Sequence, residues 1–213
     1  MCRPAFHTIP QVLAKWAQIK GKHMKKQIAV IVGSQRRGSF SRKIAQALIN
    51  LLPETFAANI VEIGHLPLFD QDYDDDGATP EAWVEFRKSI AKADAFLFVT
   101  PEYNRSYTAL IKNALDIASR PYGQNVWSGK PGAAISVSIG KIGGFGANRH
   151  LQQVLSFLNI YVMPQPEAYI GNAAELFDAD NHIVDPSASH FLQMIAEAFA
   201  TWVEKLSASS SDK

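Results

Sequence analysis

Cysteine is almost absent from this chain, because Cys2 is its one cysteine. A single thiol excludes an internal disulfide framework and a cluster of cysteine ligands around a metal. Long apolar runs are also missing: no stretch approaches the ~18 residues that a membrane span requires. No signal-peptide core is recognisable either. These absences predict a cytoplasmic protein without a membrane partner.

Motifs for metal binding and for nucleophilic catalysis are missing as well. None of the six histidines pairs with another at ligand spacing, and the Gly-x-Ser-x-Gly elbow of the α/β-hydrolases does not occur. Residues 72–77 match the opening of an EF-hand loop, but Trp83 stands where a bidentate glutamate is needed, and no helix leads in. We therefore predict no metal site and interpret residues 70–76 as a solvated acidic loop.

Charge is nearly balanced over the whole chain but unevenly distributed. The net charge of +1 gives no reason to expect a nucleic-acid partner. No Asp or Glu precedes Glu54, whereas ten Lys or Arg do. Part of this local positive excess surrounds a polar segment at residues 34–41, which makes that segment a candidate for binding an anion.

The 213 residues are enough for one domain with a full core. We predict a domain over residues 26–207, a polar tail over 208–213 and an N-terminal extension over 1–25, either flexible or a short helix. Three interpretations of the extension remain open. It precedes a natural start at Met24, it docks at an interface, or it is a targeting peptide, although Arg and Ser are scarce for the last.

The chain is organised around a short apolar run, residues 28–32, that leads through Gly33 into a segment rich in Ser, Gly and Arg. The run is typical of a buried strand, and a helix is predicted from about residue 40. Free N–H groups at a helix N-terminus attract anions, and Arg36 can grip two phosphate oxygens. We interpret this segment as a phosphate cradle. The alternative is an ordinary turn whose serines cap the helix.

Five predicted strands alternate with five predicted helices. The strands are residues 28–32, 57–63, 95–99, 131–138 and 161–163. The helices are residues 40–52, 80–91 (with Thr79 as the cap), 109–118, 148–158 and 186–206. This alternation predicts an α/β fold with a doubly wound sheet of five parallel strands flanked by helices. Ligands of such sheets bind outside the carboxyl ends of the strands.

Three loops therefore meet at one edge of the predicted sheet: residues 34–41, 101–106 and 138–146. In the second loop, Tyr103 offers an aromatic face and Asn104 can donate and accept hydrogen bonds. In the third loop, the glycines allow the backbone to approach a flat ligand closely. A monophosphate at one end and an aromatic wall at the other fit flavin mononucleotide (FMN). Plain loop packing for Tyr103 and a helix-entry turn for Gly143 and Gly144 are the alternatives.

Several motifs resemble those of the NAD(P)H-dependent FMN reductases of flavodoxin-like fold, in particular the bacterial quinone and chromate reductases. The segment Pro101-Glu-Tyr-Asn104-x-Ser106, followed by Lys112-Asn-Ala114, is the most specific of them. Gly33-Ser-x-Arg36-x-Gly-Ser39-x-Ser41 precedes it, and Ser138-x-Gly140-x-x-Gly143-Gly144 follows. The motifs occur in the order of the family and cover about residues 27–167.

The resemblance implies a set of cofactor contacts and no catalytic protein residue, because the flavin carries the chemistry. The FMN phosphate would be held by Ser34, Arg36, Ser39, Phe40 and Ser41, and the ring system by Pro101, Glu102, Tyr103, Asn104, Ser138, Gly140, Gly143 and Gly144.

The implied activity is hydride transfer from NADPH or NADH, through bound FMN, to a quinone, chromate, azo or nitro compound in a ping-pong reaction. A homodimer or homotetramer is also implied, with the flavin near a subunit boundary. The alternatives are a flavodoxin-like electron carrier, which is usually strongly acidic, a reductase that releases reduced FMN, and a module that binds another nucleotide.

Three positions depart from the family pattern. The family usually has Pro-Gly where Thr108 and Ala109 stand, beside the flavin, so the shape of the acceptor site is expected to differ. It often has Arg where Gln152 stands, so a charged contact is expected to be missing there. Neither change removes a predicted phosphate ligand.

Overall fold

The structure is a computed structural model and describes residues 25–208. The predicted N-terminal extension, apart from Lys25, and the tail beyond Ala208 lie outside the described residues. The strands are β1 (Lys26–Val32), β2 (Phe56–Val61), β3 (Ala95–Pro101), β4 (Pro131–Val137), β5 (Tyr161–Val162) and β6 (Ala168–Ile170). The helices are α1 (Phe40–Leu51), α2 (Asp72–Asp75), α3 (Glu81–Ala91), α4 (Ala109–Ala118), α5 (Phe145–Phe157) and α6 (Pro186–Ala208).

All strands of the sheet run parallel, in the order β2-β1-β3-β4-β5, with β6 also paired to β4. This is the strand order of the flavodoxin-like fold, so the predicted fold class is confirmed. The order reverses between β1 and β3, and a crevice forms at such a reversal beyond the carboxyl ends of the strands. The first and second predicted loops leave the sheet at this point.

The fifth strand position is shared by two short strands, whereas the sequence predicted one. β5 pairs with the beginning of β4, where Tyr161 lies opposite Pro131. β6 pairs with its end, where Ala168 lies opposite Ile135. Pro164 and Pro166 stand between them, and proline has no N–H group with which to continue a ladder. The strand is therefore interrupted, and β6 was missed.

Each face of the sheet is covered by its own apolar core. Successive residues of a strand point to opposite faces, so Val30 packs on one side and Ile31 on the other. Helices α1 and α6 cover the first face, and Phe199 of α6 is buried there. Helices α3, α4 and α5 cover the second face, where Trp83 and Trp127 are fully buried. The loops at the carboxyl edge of the sheet therefore begin at strands that are packed on both faces.

The acidic segment after β2 differs from its prediction as a solvated loop. Residues 72–75 form the short helix α2, and the Asp74 side chain is only 4% exposed because it pairs with Arg87 at 2.6 Å. Thr79 donates its hydroxyl to Asp74 Oδ1 at 2.8 Å and does not cap α3. Pro80 occupies the cap position of α3 and makes no side-chain hydrogen bond. The predicted Thr79 cap was therefore wrong.

Candidate active site

Side chains from all three predicted loops line a single hollow of about 230 Å³ at the carboxyl edge of the sheet. The lining consists of Ser34, Arg36, Ser39, Phe40, Ser41, Pro101, Glu102, Tyr103, Val137, Ser138 and Ile139. Nine of these were candidate site residues in the sequence. Val137 and Ile139 were missed, although their position on either side of Ser138 was a signal that could have found them.

The first loop brings the N-terminus of α1 to the hollow. Ser39 occupies the N-cap position of α1, where its Oγ accepts a hydrogen bond from the Arg42 N–H at 3.2 Å. Ser34 and Ser41 are buried in the wall of the hollow. Their hydroxyls make no hydrogen bond to any other residue between 25 and 208, so they are available to a ligand. Hydroxyls and helix N–H groups together suit an anion.

Charge in the hollow also favours an anion at this end. Arg36 lines the hollow, and no acidic partner for it exists within the described part of the chain. Glu102 carries the only carboxylate among the described residues of the lining, and it already accepts a hydrogen bond from the backbone N–H of Ala147 in α5. An unpaired guanidinium beside serine hydroxyls can hold a phosphate through charge-assisted hydrogen bonds.

The second loop makes a tight turn that presents Tyr103. Tyr103 and Ser106 exchange backbone hydrogen bonds of 2.9 and 3.0 Å, and Asn104 and Arg105 between them have φ values of 51° and 67°. Two residues with positive φ are typical of a type I′ hairpin turn. The Tyr103 side chain lines the hollow and is half exposed. Asn104 lies at the turn beside the hollow and does not line it.

The third loop contributes Ser138 and Ile139 to the lining but not Gly140, Gly143 or Gly144. A Cβ on Gly143 would lie 2.6 Å from the backbone carbon of Tyr169, and one on Gly144 would lie 3.0 Å from Ser136 Cβ. The close approach made possible by these two glycines is therefore to the protein itself.

The departure at Thr108 places a hydroxyl beneath the first loop. Thr108 is buried at the N-cap position of α4 and makes no cap hydrogen bond. Its Oγ1 has no hydrogen-bond partner within residues 25–208. A Cβ on Gly33 would lie 2.7 Å from this oxygen. The beginning of the first loop is therefore packed tightly against Thr108.

The departure at Gln152 serves the packing of α5. Gln152 Nε2 donates to Asn148 Oδ1 at 2.6 Å. The Asn148 amide in turn donates to the carbonyls of Ala134 and Ala168 at 2.9 and 3.2 Å. The glutamine therefore completes a hydrogen-bonded group beneath the third loop, where the sequence suggested only the loss of a charged contact.

Comparison with known proteins gives a family for this fold and hollow. A family model described as NADPH-dependent FMN reductase matches residues 26–175. A quinone reductase from Pseudomonas putida is 53% identical over 177 residues, which are 83% of this chain and 94% of that protein. A 2-hydroxy-1,4-benzoquinone reductase from a Burkholderia species is 49% identical over 180 residues, or 84% of this chain and 97% of that protein.

A solved structure agrees with these matches. The flavoenzyme NAD(P)H:(acceptor) oxidoreductase FerB from Paracoccus denitrificans superposes with a TM-score of 0.79 at 42% identity, covering 84% of this chain and 98% of its own. Fold and hollow together define a parallel α/β protein with a polar hollow at the point where the strand order reverses. The chain belongs to the family of NADPH-dependent FMN reductases.

Between residues 25 and 208, no group of three or more His, Cys, Asp or Glu is arranged to hold a metal ion. Within the same residues, no helix has both the length and the apolar character needed to cross a lipid bilayer.

Proposed function

We propose that this protein is an FMN-dependent NAD(P)H oxidoreductase that reduces quinones. Membership of the family supports FMN and the nicotinamide, and two relatives that are about half identical carry quinone-reductase names. The observation that carries the proposal is the composition of the hollow. Serine hydroxyls and an arginine that have no partner within the described chain lie at one end, and an aromatic side chain from a second loop forms a wall.

The residues around the hollow fit FMN by their chemistry. Ser34, Ser39 and Ser41, together with Arg36, would hold the phosphate at the N-terminus of α1. Pro101, Tyr103 and Ser138 would flank the ring system. When bound, FMN accepts a hydride from NADPH or NADH and passes the electrons to the acceptor.

The protein residues bind and orient the flavin and its substrates and do not react themselves. Among residues 25–208, the lining offers no cysteine or histidine as a nucleophile or proton carrier. Half-exposed Tyr103 leaves one side of the hollow open, so we infer that the nicotinamide and the quinone use this same space in turn. Such sharing predicts ping-pong kinetics.

The test is steady-state kinetics of the protein loaded with FMN, in which NADPH or NADH and a water-soluble 1,4-benzoquinone are varied together. Parallel double-reciprocal lines are expected, and intersecting lines would contradict the shared space. A protein that oxidises no nicotinamide on its own would instead be an electron carrier. Loss of the yellow colour on gel filtration would favour release of reduced FMN.

Arg36→Ala should weaken FMN binding by about 10- to 150-fold, because a hydrogen bond to a charged group is worth roughly 1.5–3 kcal/mol. The measurement is quenching of flavin fluorescence during titration of the FMN-free protein. Arg37→Ala is the matched control, since this exposed neighbour does not line the hollow. Equal affinities of the Arg36 variant and the wild type would remove Arg36 from the site.

We further infer that the protein works in the cytoplasm as a homodimer or homotetramer and accepts chromate, azo or nitro compounds besides quinones. The resemblance of its motifs to the bacterial quinone and chromate reductases supports this inference.

A further inference from the structure

The N-terminus of α5 is capped by a side chain from a different loop. Gly144, at its N-cap position, has φ of 77° and offers no side chain. The N–H of Ala147, in the first turn, donates to Glu102 Oε2 at 2.9 Å. Glu102 lies 45 residues earlier, directly after β3. A carboxylate at a helix N-terminus both accepts an orphan N–H bond and interacts favourably with the helix dipole.

The surroundings of Glu102 are built to receive its carboxylate. Its side chain is 14% exposed. A Cβ on Gly146 would lie 3.0 Å from Glu102 Oε2, and one on Gly144 would lie 3.4 Å from Glu102 Cβ. Glycine at both positions therefore leaves room for the glutamate. Its one other charged contact among the described residues is with the largely exposed Arg105 at 3.4 Å.

This hydrogen bond joins the second loop to the first turn of α5, directly after the third loop, and the two loops form two walls of the hollow. Tyr103 follows Glu102 directly on one wall, and Ser138 and Ile139 belong to the other. A second tie holds the far end of the second loop, where a hydrogen bond of 2.9 Å joins Ser106 Oγ to His150 Nδ1 on α5. The second loop is thus fastened to α5 at both ends.

We propose that Glu102 is a positioning residue, whose carboxylate caps α5 from the second loop and thereby fixes the separation of the two walls between which the flavin ring system binds. The inference rests on the proposed function and deepens it. It assigns Glu102 a task different from the ring contact that the sequence suggested.

Two conservative variants separate the effect of the length of the Glu102 side chain from the effect of its charge. Glu102→Gln keeps an oxygen at the same distance along the side chain but loses the charge. Glu102→Asp keeps the charge but is one methylene shorter. If the cap positions the walls, the Asp variant should bind FMN ~10-fold more weakly, a change of about 1.4 kcal/mol. The Gln variant should stay within about threefold of the wild type. Glu85→Gln at an exposed position of α3 is the control for charge.

The second measurement is hydrogen exchange of the Ala147 amide in the FMN-free protein. The amide should exchange faster in the Asp variant than in the wild type and should stay protected in the Gln variant. This readout needs no flavin, so it tests the cap even if the wild type binds no FMN, a result that would overturn the proposed function alone.

Three results would overturn the inference. Equal loss of FMN affinity in the Gln and Asp variants would show that FMN affinity does not follow the reach of the capping oxygen. Unchanged Ala147 exchange in the Asp variant would show that the cap is dispensable. Unchanged FMN affinity in the Asp variant would show that the walls hold their separation without it.

Discussion

Replacing Arg87 with methionine should lower the free energy of unfolding by about 3–5 kcal/mol, because it leaves a buried carboxylate without its cation. The Arg87 guanidinium donates to both oxygens of Asp74 at 2.8 and 2.6 Å, and its Nε donates to the Ile117 carbonyl at 2.9 Å. One side chain therefore joins α2, α3 and the end of α4. Urea denaturation of the FMN-free protein measures the change.

The stability difference between the wild type and the Arg87 variant should also depend on pH. The hydrogen bonds from Arg87 hold the pKa of Asp74 below its ordinary value of 3.8. This pKa is lower in the folded than in the unfolded protein. The stabilisation is therefore fully present above the unfolded-state pKa and is lost as the pH falls through the folded-state pKa. The difference should therefore be largest near neutrality and shrink below about pH 4.

Two controls belong to this experiment. Lys88→Met removes the same charge from an exposed position of the same helix. Arg42→Met removes the exposed ion pair with Glu62, a kind of pair that contributes only about 0–1 kcal/mol. If the Arg87 variant lost no more stability than these two, the buried pair would not be what holds α2 in place.

The elements that the sequence predicted best are those with an unambiguous local pattern. Helix α4 has the predicted bounds, Ala109–Ala118. The core of β1 is a short β-branched run that ends at glycine, and such runs are seldom anything but buried strands. Strand β6 has three residues and follows two prolines, so it carries no periodicity that a sequence pattern could register.

The acidic segment shows what a local pattern cannot reveal. Closely spaced aspartates resemble a solvated loop, and four of the five in residues 70–76 make no ion pair within the described chain. Asp74 finds its partner 13 residues further along, in the middle of α3. The sequence contains both residues but gives no sign that the chain folds back to join them.

The candidate site was predictable as a meeting of loops and not as a set of contacts. Parallel topology brings the three loops to one edge, so Ser34, Tyr103 and Ser138 were expected together, and all three line the hollow. What holds the loops in place depends on atoms far apart in sequence. Neither the bond between Glu102 and the Ala147 N–H nor the contact of Gly143 with Tyr169 has a local sequence signature.

Gly143→Ala should displace the third loop from the edge of the sheet. The variant should therefore be less stable to unfolding and should bind FMN more weakly. Gly143 has φ of 65°, and its added Cβ would lie 2.6 to 2.9 Å from backbone atoms of Tyr169 and Ile170. The left-handed conformation costs an alanine about 1–2 kcal/mol, and forced overpacking typically adds about 1–3 kcal/mol. Thermal unfolding and FMN titration measure the two effects.

Gly77→Ala isolates the contribution of the close approach. Gly77 has nearly the same φ, 68°, but nothing lies within 4 Å of its added Cβ. The Gly77 variant should therefore lose only the stability that the left-handed conformation costs an alanine, and it should retain wild-type FMN affinity. Because a Gly143 variant cannot move away from β6 without also breaking the 2.7 Å bond from Ser136 Oγ to the Gly143 carbonyl, its loss should exceed that of the Gly77 variant. Equal losses of stability and FMN affinity in the two variants would mean that the third loop can shift at no cost. Its packing against β6 would then not shape the hollow.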